Sequence, residues 1–566
     1  MVSGFDDGSG WRDAVIRRRP SAGLVCCFIS LCLLRLAAPG AADEARAEEP
    51  IGAAIQGIVD AGQQPLLRRP DFSAQQESTR RLYEPVSFRP LWLHNDKPTS
   101  KAAEIIRALS EVDRDGLAPE DYDATRLREA AARLDSATPP ADAAAFDTAL
   151  TVCVLRYVSD AHFGRVPPRA VGFALETDSA QFDPVAFVSQ LPAATAPAQL
   201  LATLDPQFAL FGRLVTALAH WRELAARTDF PQVPNLPKLH PGESNPGIPS
   251  LREFLRAIGD LPGAARAPKI ARVYDPDLVK AVKRFQERQG LGADGVIGEA
   301  TLSQLQVSPA ERVRQIQLAL ERLRWLPQPE DEAFVVVNLP EFQLRGYYRG
   351  ESSPAVWLRA VVGSASLRHE TPVLHASMEY LVFRPYWDVP PSIAEKEILP
   401  DSKKDPAYFA KHNYEFHKGR IRQRPGDDNA LGLLKFVFPN PFHVYMHDTP
   451  TKRLFAKSRR DFSHGCIRVS DAAALAEFVL RGQGKWDREA IEAAMKSGHD
   501  NHRVYLERPV GVYLLYSTVV VDEDGTTHFF EDIYGHDAQL DSVLAKGPPY
   551  PYATAAPVTL PGAAEP

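Results

Sequence analysis

Residues 463–469 read Ser463-His464-Gly465-Cys466-Ile467-Arg468-Val469, and nineteen residues before Cys466 the stretch His443-Val444-Tyr445-Met446-His447 comes to its end. A thiol is mostly protonated at neutral pH, so a nucleophilic cysteine needs an imidazole or a positive field beside it. This segment offers both. From Lys411 to Ser470 twelve Lys/Arg stand against five Asp/Glu, a local +7 in a chain of formal net charge -7. A solvated basic face is the ordinary meaning of such a run, yet it would also draw substrates that carry carboxylates. Read as a strand, 443–447 puts His443, Tyr445 and His447 on one face and Val444 and Met446 on the other. His447 then stands at the strand's end, where a loop can bring it to Cys466. Gly465 lets backbone pass close to a ligand. The amides of His464, Gly465 and Cys466 are candidate oxyanion donors, each typically worth about 3 kcal/mol.

Around this segment the hydrophobic period is that of strands. Residues 334–337, 360–362, 380–383, Val389, 435–438 and 443–446 read as strands separated by Gly, Pro and Asn, and 510–521 with 526–530 as a closing hairpin around Asp524-Gly525. Residues 395–430 are charged and lack apolar alternation apart from Tyr408 and Phe409, the pattern of an insertion that covers something. Residues 331–540 are therefore expected to form a mostly β domain with an inserted lid at about 395–430, followed by a Pro/Ala-rich tail, 541–566.

Upstream the pattern is helical. Ile105, Ile106 and Leu109 fall in one run and Ala149 to Val158 in another, which makes 81–245 a helical region. Cys153 lies inside the second run and reads as a small buried core residue. Residues 228–250 carry six prolines and read as an extended connection. Asp275 and Pro276 supply an N-cap and first-turn proline for a helix that ends at Gly290. Gly290 to Gly295 matches GxGxxG, but it follows a helix and no βαβ pattern surrounds it, so no dinucleotide site is expected. A compact helical module at 246–310 and a helical linker at 311–330 complete the order.

At the start, Arg17, Arg18 and Arg19 precede an apolar stretch, Ala22 to Leu34, and then small residues through Ala42, the order of an export signal over 1–42. The alternative is an uncleaved anchor. Residues 43–80, polar and rich in Ala, Arg and Glu, read as a tether. The whole chain has 566 residues, 45% hydrophobic and 24% charged, the composition of globular protein, and its acidic balance argues against nucleic acid as a partner. Removing 1–42 takes away five Arg and three Asp, leaving 60 basic against 69 acidic residues, and takes three of the five Cys. Cys153 and Cys466 remain, either paired or with at least one kept free for chemistry.

The residues His447-Asp448-Thr449 and Ser463-His-Gly-Cys466-Ile-Arg468 resemble the signature of the YkuD-type L,D-transpeptidases of the bacterial wall, in the large periplasmic YcbB arrangement. Supporting matches are Val362-Gly363 before Thr371-Pro372-Val373, Trp387-Asp-Val-Pro390-Pro391-Ser-Ile393, and Asn429-Ala-Leu-Gly432. The stretch from about Ser250 to Leu305, with Asp294-Gly295-Val-Ile-Gly298, resembles a small helical peptidoglycan-binding module. Together the resemblance covers most of 80–540 and implies a multidomain α+β protein: a helical N-terminal region, that module, and a mostly β YkuD-type catalytic domain with an inserted lid. It implies Cys466 as nucleophile and His447 as base, oriented through the carbonyl of Asp448, with the Asp448 carboxylate as the alternative orienter. His464 and Gly465 take lining or oxyanion roles. Arg468 holds the loop or a substrate carboxylate, or else forms a structural salt bridge. Tyr445 and Trp387 line the substrate path or simply pack.

The reaction so implied forms 3-3 cross-links through a Cys466 thioester, with peptidoglycan stem peptides as donor and acceptor, wall-synthesis or wall-modifying proteins as further partners, and no cofactor or metal. The expected location is the periplasm, with membrane contact only through an uncleaved N-terminus. The rivals are an L,D-carboxypeptidase or D-amino-acid exchange enzyme using the same Cys and His, a zinc hydrolase with His443, His447, His464 and Cys466 as ligands, and a non-catalytic wall-binding scaffold.

Overall fold

The computed structural model describes residues 39–175, 182–263, 270–327, 329–351 and 353–548, with side chains from residue 50 onward. The chain divides into two units, 1–48 and Glu49–Pro566. Of the first, only the start of the helix Pro39–Ala61 is described. The expected export signal falls almost entirely outside the described residues, as do 549–566 of the expected tail. Among the described residues no helix is long and apolar enough to cross a membrane.

In the second unit the helical region is built on Pro140–Phe163, whose proline stands in the first turn and whose Ala-rich body buries most of its residues. Cys153 is fully buried there, and both it and Cys466 are free thiols, which removes the possible disulfide between them. Residues 50–80 are not a tether. Ile51, Ile55 and Val59 are buried with Tyr83, Ala143 and Ala144 in one cluster. Buried Gln64 donates to Ala145 O (2.9 Å) and Thr148 Oγ1 (2.5 Å). The i, i+4, i+8 spacing of those three residues is a helical stripe that the surrounding Ala and Glu disguise.

The Pro-rich connection is likewise more than a linker. Val233, Leu236 and Leu239 enter the core of the small module beside Ile248–Ala257 and Pro276–Arg288. Leu239 and Ile297 exchange both backbone hydrogen bonds at 3.0 Å. Asp275 caps the second helix through the amides of Asp277 and Leu278. The GxGxxG stretch is a turn behind that helix, stapled by buried Gln286, which accepts from Gly295 N and donates to Val296 O.

The helix Pro309–Leu323, opened by a Ser308/Glu311 capping box, leads into the β domain. There nine strands hydrogen-bond in the order Asp461–Ser463, Val356–Gly363, Ile467–Val469, Met446–His447, Leu434–Val437, Leu374–Phe383, His502–Leu515, Ala333–Asn338, Gln343–Tyr348. The last of these also pairs with Val356–Gly363, so the sheet closes on itself and, among the described residues, only Asp461–Ser463 is left as an outer strand. Val335, Val337, Leu344, Met378, Phe436, Met446, Ile467 and Val512, all fully buried, belong to one core.

A segment from outside the β domain completes that core. Val166, Val171, Phe173 and Leu175 of the helical region pack into it, and Ala174 N donates to Val373 O (3.2 Å). Their approach is fixed by fully buried Glu321, which pairs with Arg165 Nε (3.0 Å) and accepts Val166 N (3.1 Å).

Three strand expectations need correction. The stretch 443–447 is not a strand throughout, because His443 has φ +54 and only Met446–His447 joins the sheet. Asn440 sets this turn, accepting from Phe442 N and Val444 N and donating to Val444 O. The run 510–521 divides: His502–Leu515 belongs to the large sheet, and the hairpin is Val519–Val521 with Thr527–Phe529. The insertion 395–430 has structure and a small core of its own. Short helical turns stand in the chain between the first strand, Trp387–Asp388, and the other two, Tyr414–His417 and Arg420–Gln423, of a three-stranded sheet over buried Val389, Ile393, Ile398 and Ile421.

Candidate active site

The loop 464–466 turns over the end of one strand. Asp461 and Ser463 pair with Val362 and Gly363 on one side, and Arg468 and Val469 pair with Val361 and Ala360 on the other. The loop is pinned from within and below. Ser463 Oγ donates to Cys466 O (2.6 Å) and accepts Gly465 N (3.1 Å). Buried Thr371 Oγ1 donates to Gly465 O (2.8 Å) and accepts Gly363 N (2.8 Å). Tyr534 Oη donates to Gly363 O (2.7 Å). Gly465 has φ +113, a conformation that a side chain would strain.

Register decides which side chains meet. His447 pairs with Arg468 in parallel and with Lys435 in antiparallel, while Met446 pairs with Ile467 and Phe436. Side chains alternate across a strand, so Met446, Ile467 and Phe436 enter the core and Lys435, His447 and Arg468 stand in a row on the other face. Tyr445 and Cys466, each two residues before a member of that row, share it, and Ile467 N donates to Tyr445 O (3.0 Å) between them. Cys466 is partly exposed and His447 buried. Tyr445 presents both its backbone N–H and its hydroxyl to the Cys466 thiol, and the same hydroxyl faces the Trp387 indole. Lys435 Nζ sits 3.8 Å above the Tyr445 ring.

His447 Nδ1–H donates to Asp448 O (2.5 Å), which leaves Nε2 as the proton acceptor of the neutral ring. Burial, then the Arg468 cation, push this imidazole down to about 3 against the partial support of the Asp448 carbonyl, so it is neutral at pH 7. The Asp448 carboxylate is not the orienter. It accepts Leu433 N (3.0 Å) and Lys452 Nζ (2.5 Å) and lies where a side chain on Gly432 would stand. Burial pushes the Cys466 thiol up, and the Tyr445 N–H, Lys435, the Tyr445 hydroxyl and Arg468 pull it back.

The remaining expected residues separate. Gly465 gives its amide to Ser463 Oγ, which leaves the amides of His464 and Cys466 as the loop's candidate oxyanion donors. His464 Nε2 meets Glu397 Oε1 of the insertion at 2.7 Å, and its ring lies 4.8 Å from that of His369. Arg468 Nε is buried without a hydrogen-bond partner among the described residues. His443, on its turn, is exposed. Among the described residues no three His, Cys, Asp or Glu side chains gather as metal ligands, so the four named for zinc are not assembled. Sequence reasoning missed Lys435, Glu397 and His369. The Lys435 signal was available, as a charged residue in an otherwise apolar strand, Leu434–Val437.

Three family models match the chain: one described as a scaffold domain at residues 77–218, one as "Putative peptidoglycan binding domain" at 244–305, and the YkuD L,D-transpeptidase catalytic domain at 332–491. Over 242 residues the chain is 31% identical to a Haemophilus influenzae protein named "Putative L,D-transpeptidase". That match spans 39% of this chain and 47% of the relative, about half its length. A solved L,D-transpeptidase from Stackebrandtia nassauensis is 13% identical, covering 50% of this chain and 96% of that one, and at a TM-score of 0.21 the likeness carries no argument. The β domain with Cys466 on its sheet is thus the part of the chain that matches the YkuD L,D-transpeptidase catalytic domain, and it follows a stretch that matches the peptidoglycan-binding model.

Proposed function

We propose that this chain is an L,D-transpeptidase of the periplasm that makes 3-3 cross-links between peptidoglycan stems, with Cys466 as nucleophile and His447 as its acid–base partner. The observation that carries the reading is the gathering of Lys435, Tyr445, His447, Cys466 and Arg468 on one face of three adjacent strands. As Cys466 Sγ bonds to the carbonyl carbon of meso-diaminopimelate in the donor tetrapeptide, its proton passes to His447 Nε2. The imidazolium returns that proton to the nitrogen of D-Ala as the amide bond breaks, and a thioester remains. The side-chain amine of a second stem attacks the thioester, its proton leaves through His447, and the thiol is restored. An imidazole of such low proton affinity gives up its proton readily, which suits the second step better than the first. Arg468, whose Nε has no hydrogen-bond partner among the described residues, is available to a stem carboxylate.

Cross-linking wins over hydrolysis only where water is kept from the thioester. The insertion 395–430 is assigned that role as a lid, on the support of the Glu397 contact to His464 beside the nucleophile. Deleting it should raise hydrolysis relative to transfer; an unchanged ratio would sink the lid role. The test of the whole is intact-mass analysis with a disaccharide-tetrapeptide. An acyl adduct on Cys466 and a 3-3 dimer are expected. Tripeptide without dimer would favour the L,D-carboxypeptidase, D-Ala replacement by an added D-amino acid the exchange enzyme, and no adduct would end the thiol reading.

A further inference from the structure

We infer that Lys435 is a positioning residue for the nucleophile: its ammonium, seated on the Tyr445 ring, joins Arg468 in stabilising the negative charge on Cys466 Sγ as the thiol's proton leaves. The inference rests on Cys466 being the nucleophile. The geometry starts from the register, which sets Lys435 and Arg468 on either side of His447 on one face. Two fixed cations flanking a buried ring oppose a third positive charge on it. The same two cations favour a negative charge on Cys466, which stands two residues before Arg468 on that face. A charged amine in a half-buried strand has to be held by something, and the aromatic face of Tyr445 at 3.8 Å does so. Tyr445 in turn presents its N–H and hydroxyl to Sγ, so Lys435 acts on the thiol both directly and by fixing its donor.

The other charged groups around the cluster are Asp388 of the strand Trp387–Asp388 and Arg503 of His502–Leu515, both facing Lys435. Of these only Asp388 opposes the arrangement, and none of them is an imidazolium. Burial lowers Lys435's own affinity for its proton, while the Cys466 charge raises it, so ammonium and thiolate support each other.

The experiment is the pH dependence of iodoacetamide alkylation of Cys466 in the full chain, read by mass spectrometry of the Cys466 peptide. It needs no wall substrate, so it fails or succeeds separately from the cross-linking assay. Lys435→Met should raise the midpoint by about one unit, a tenfold slower alkylation at any fixed pH below it. Lys435→Arg, which keeps the charge, should restore most of the rate, and His447→Gln should not raise the midpoint. Should Lys435→Met fail to fold, Lys435→Gln, with a neutral polar head in the same seat, should give the same rise. A folded Lys435→Met or Lys435→Gln protein with an unmoved midpoint would overturn the inference, as would a His447→Gln midpoint raised as far as theirs.

Discussion

Replacing Thr371 by valine tests how the Cys466 loop is held. The threonine is 1% exposed, and its hydroxyl both donates to Gly465 O and accepts Gly363 N at 2.8 Å. Valine fills the same volume, so no cavity forms, but two buried backbone groups lose their partner. Each such orphan costs about 1–3 kcal/mol, so the substitution should destabilise by about 2–6 kcal/mol. Thr371→Ser keeps the hydroxyl and loses one methyl, at about 1 kcal/mol. Equilibrium urea unfolding of the three proteins gives the difference as a shift in midpoint at constant slope. Acylation carries a second signature, because a nucleophile displaced by about 1 Å loses roughly a hundredfold in rate. A valine variant within about 0.5 kcal/mol of wild type, the limit for substitutions that touch nothing important, would refute the reasoning. So would a serine variant as damaged as the valine one.

Other outcomes follow from the same site. Asp448→Asn should lower stability, through Leu433 and Lys452, while leaving the rate of Cys466 acylation by a donor stem in place; a rate lost as far as in His447→Gln would return the carboxylate to the role of orienter. His447 is held near 3, so between about 6.5 and 3 the unfolded chain takes up a proton that the folded one refuses, and stability falls as pH falls through that window. His447→Gln should remove this share of the acid loss in urea midpoints measured from pH 7 to 4. Cys153, whose thiol burial pushes far up, should resist a thiol reagent in the native protein and react only on unfolding. Glu397→Gln should speed amide exchange in 394–404 with less than about 1 kcal/mol lost overall, the worth of an exposed pair.

Much of this was legible in the residues, and the failures have a common cause. The Cys466 and His447 motif is local chemistry, readable from side-chain types alone. The strands that hold it are short runs with clear alternation. Ile51, Ile55 and Val59 escaped notice because helical burial depends on three residues among many Ala and Glu. Val233, Leu236 and Leu239 escaped because proline-rich extended chain can contribute to a core without any period. Lys435 became meaningful only through pairing with His447, a register that arises from contacts between strands far apart in sequence. Asn440 turned an expected strand because its side chain offers the backbone a competing set of hydrogen bonds.

The insertion of Val166, Val171, Phe173 and Leu175 into the barrel core has a consequence for how this chain can be divided. A recombinant fragment starting near residue 331 would carry the reactive thiol with one side of its hydrophobic interior uncovered, and would be prone to aggregate or to lose the shape of its sheet. The boundary at which family resemblance begins is therefore not a boundary of folding. Chimeras that exchange the barrel between relatives have to exchange residues 164–175 and the helix that anchors them along with it.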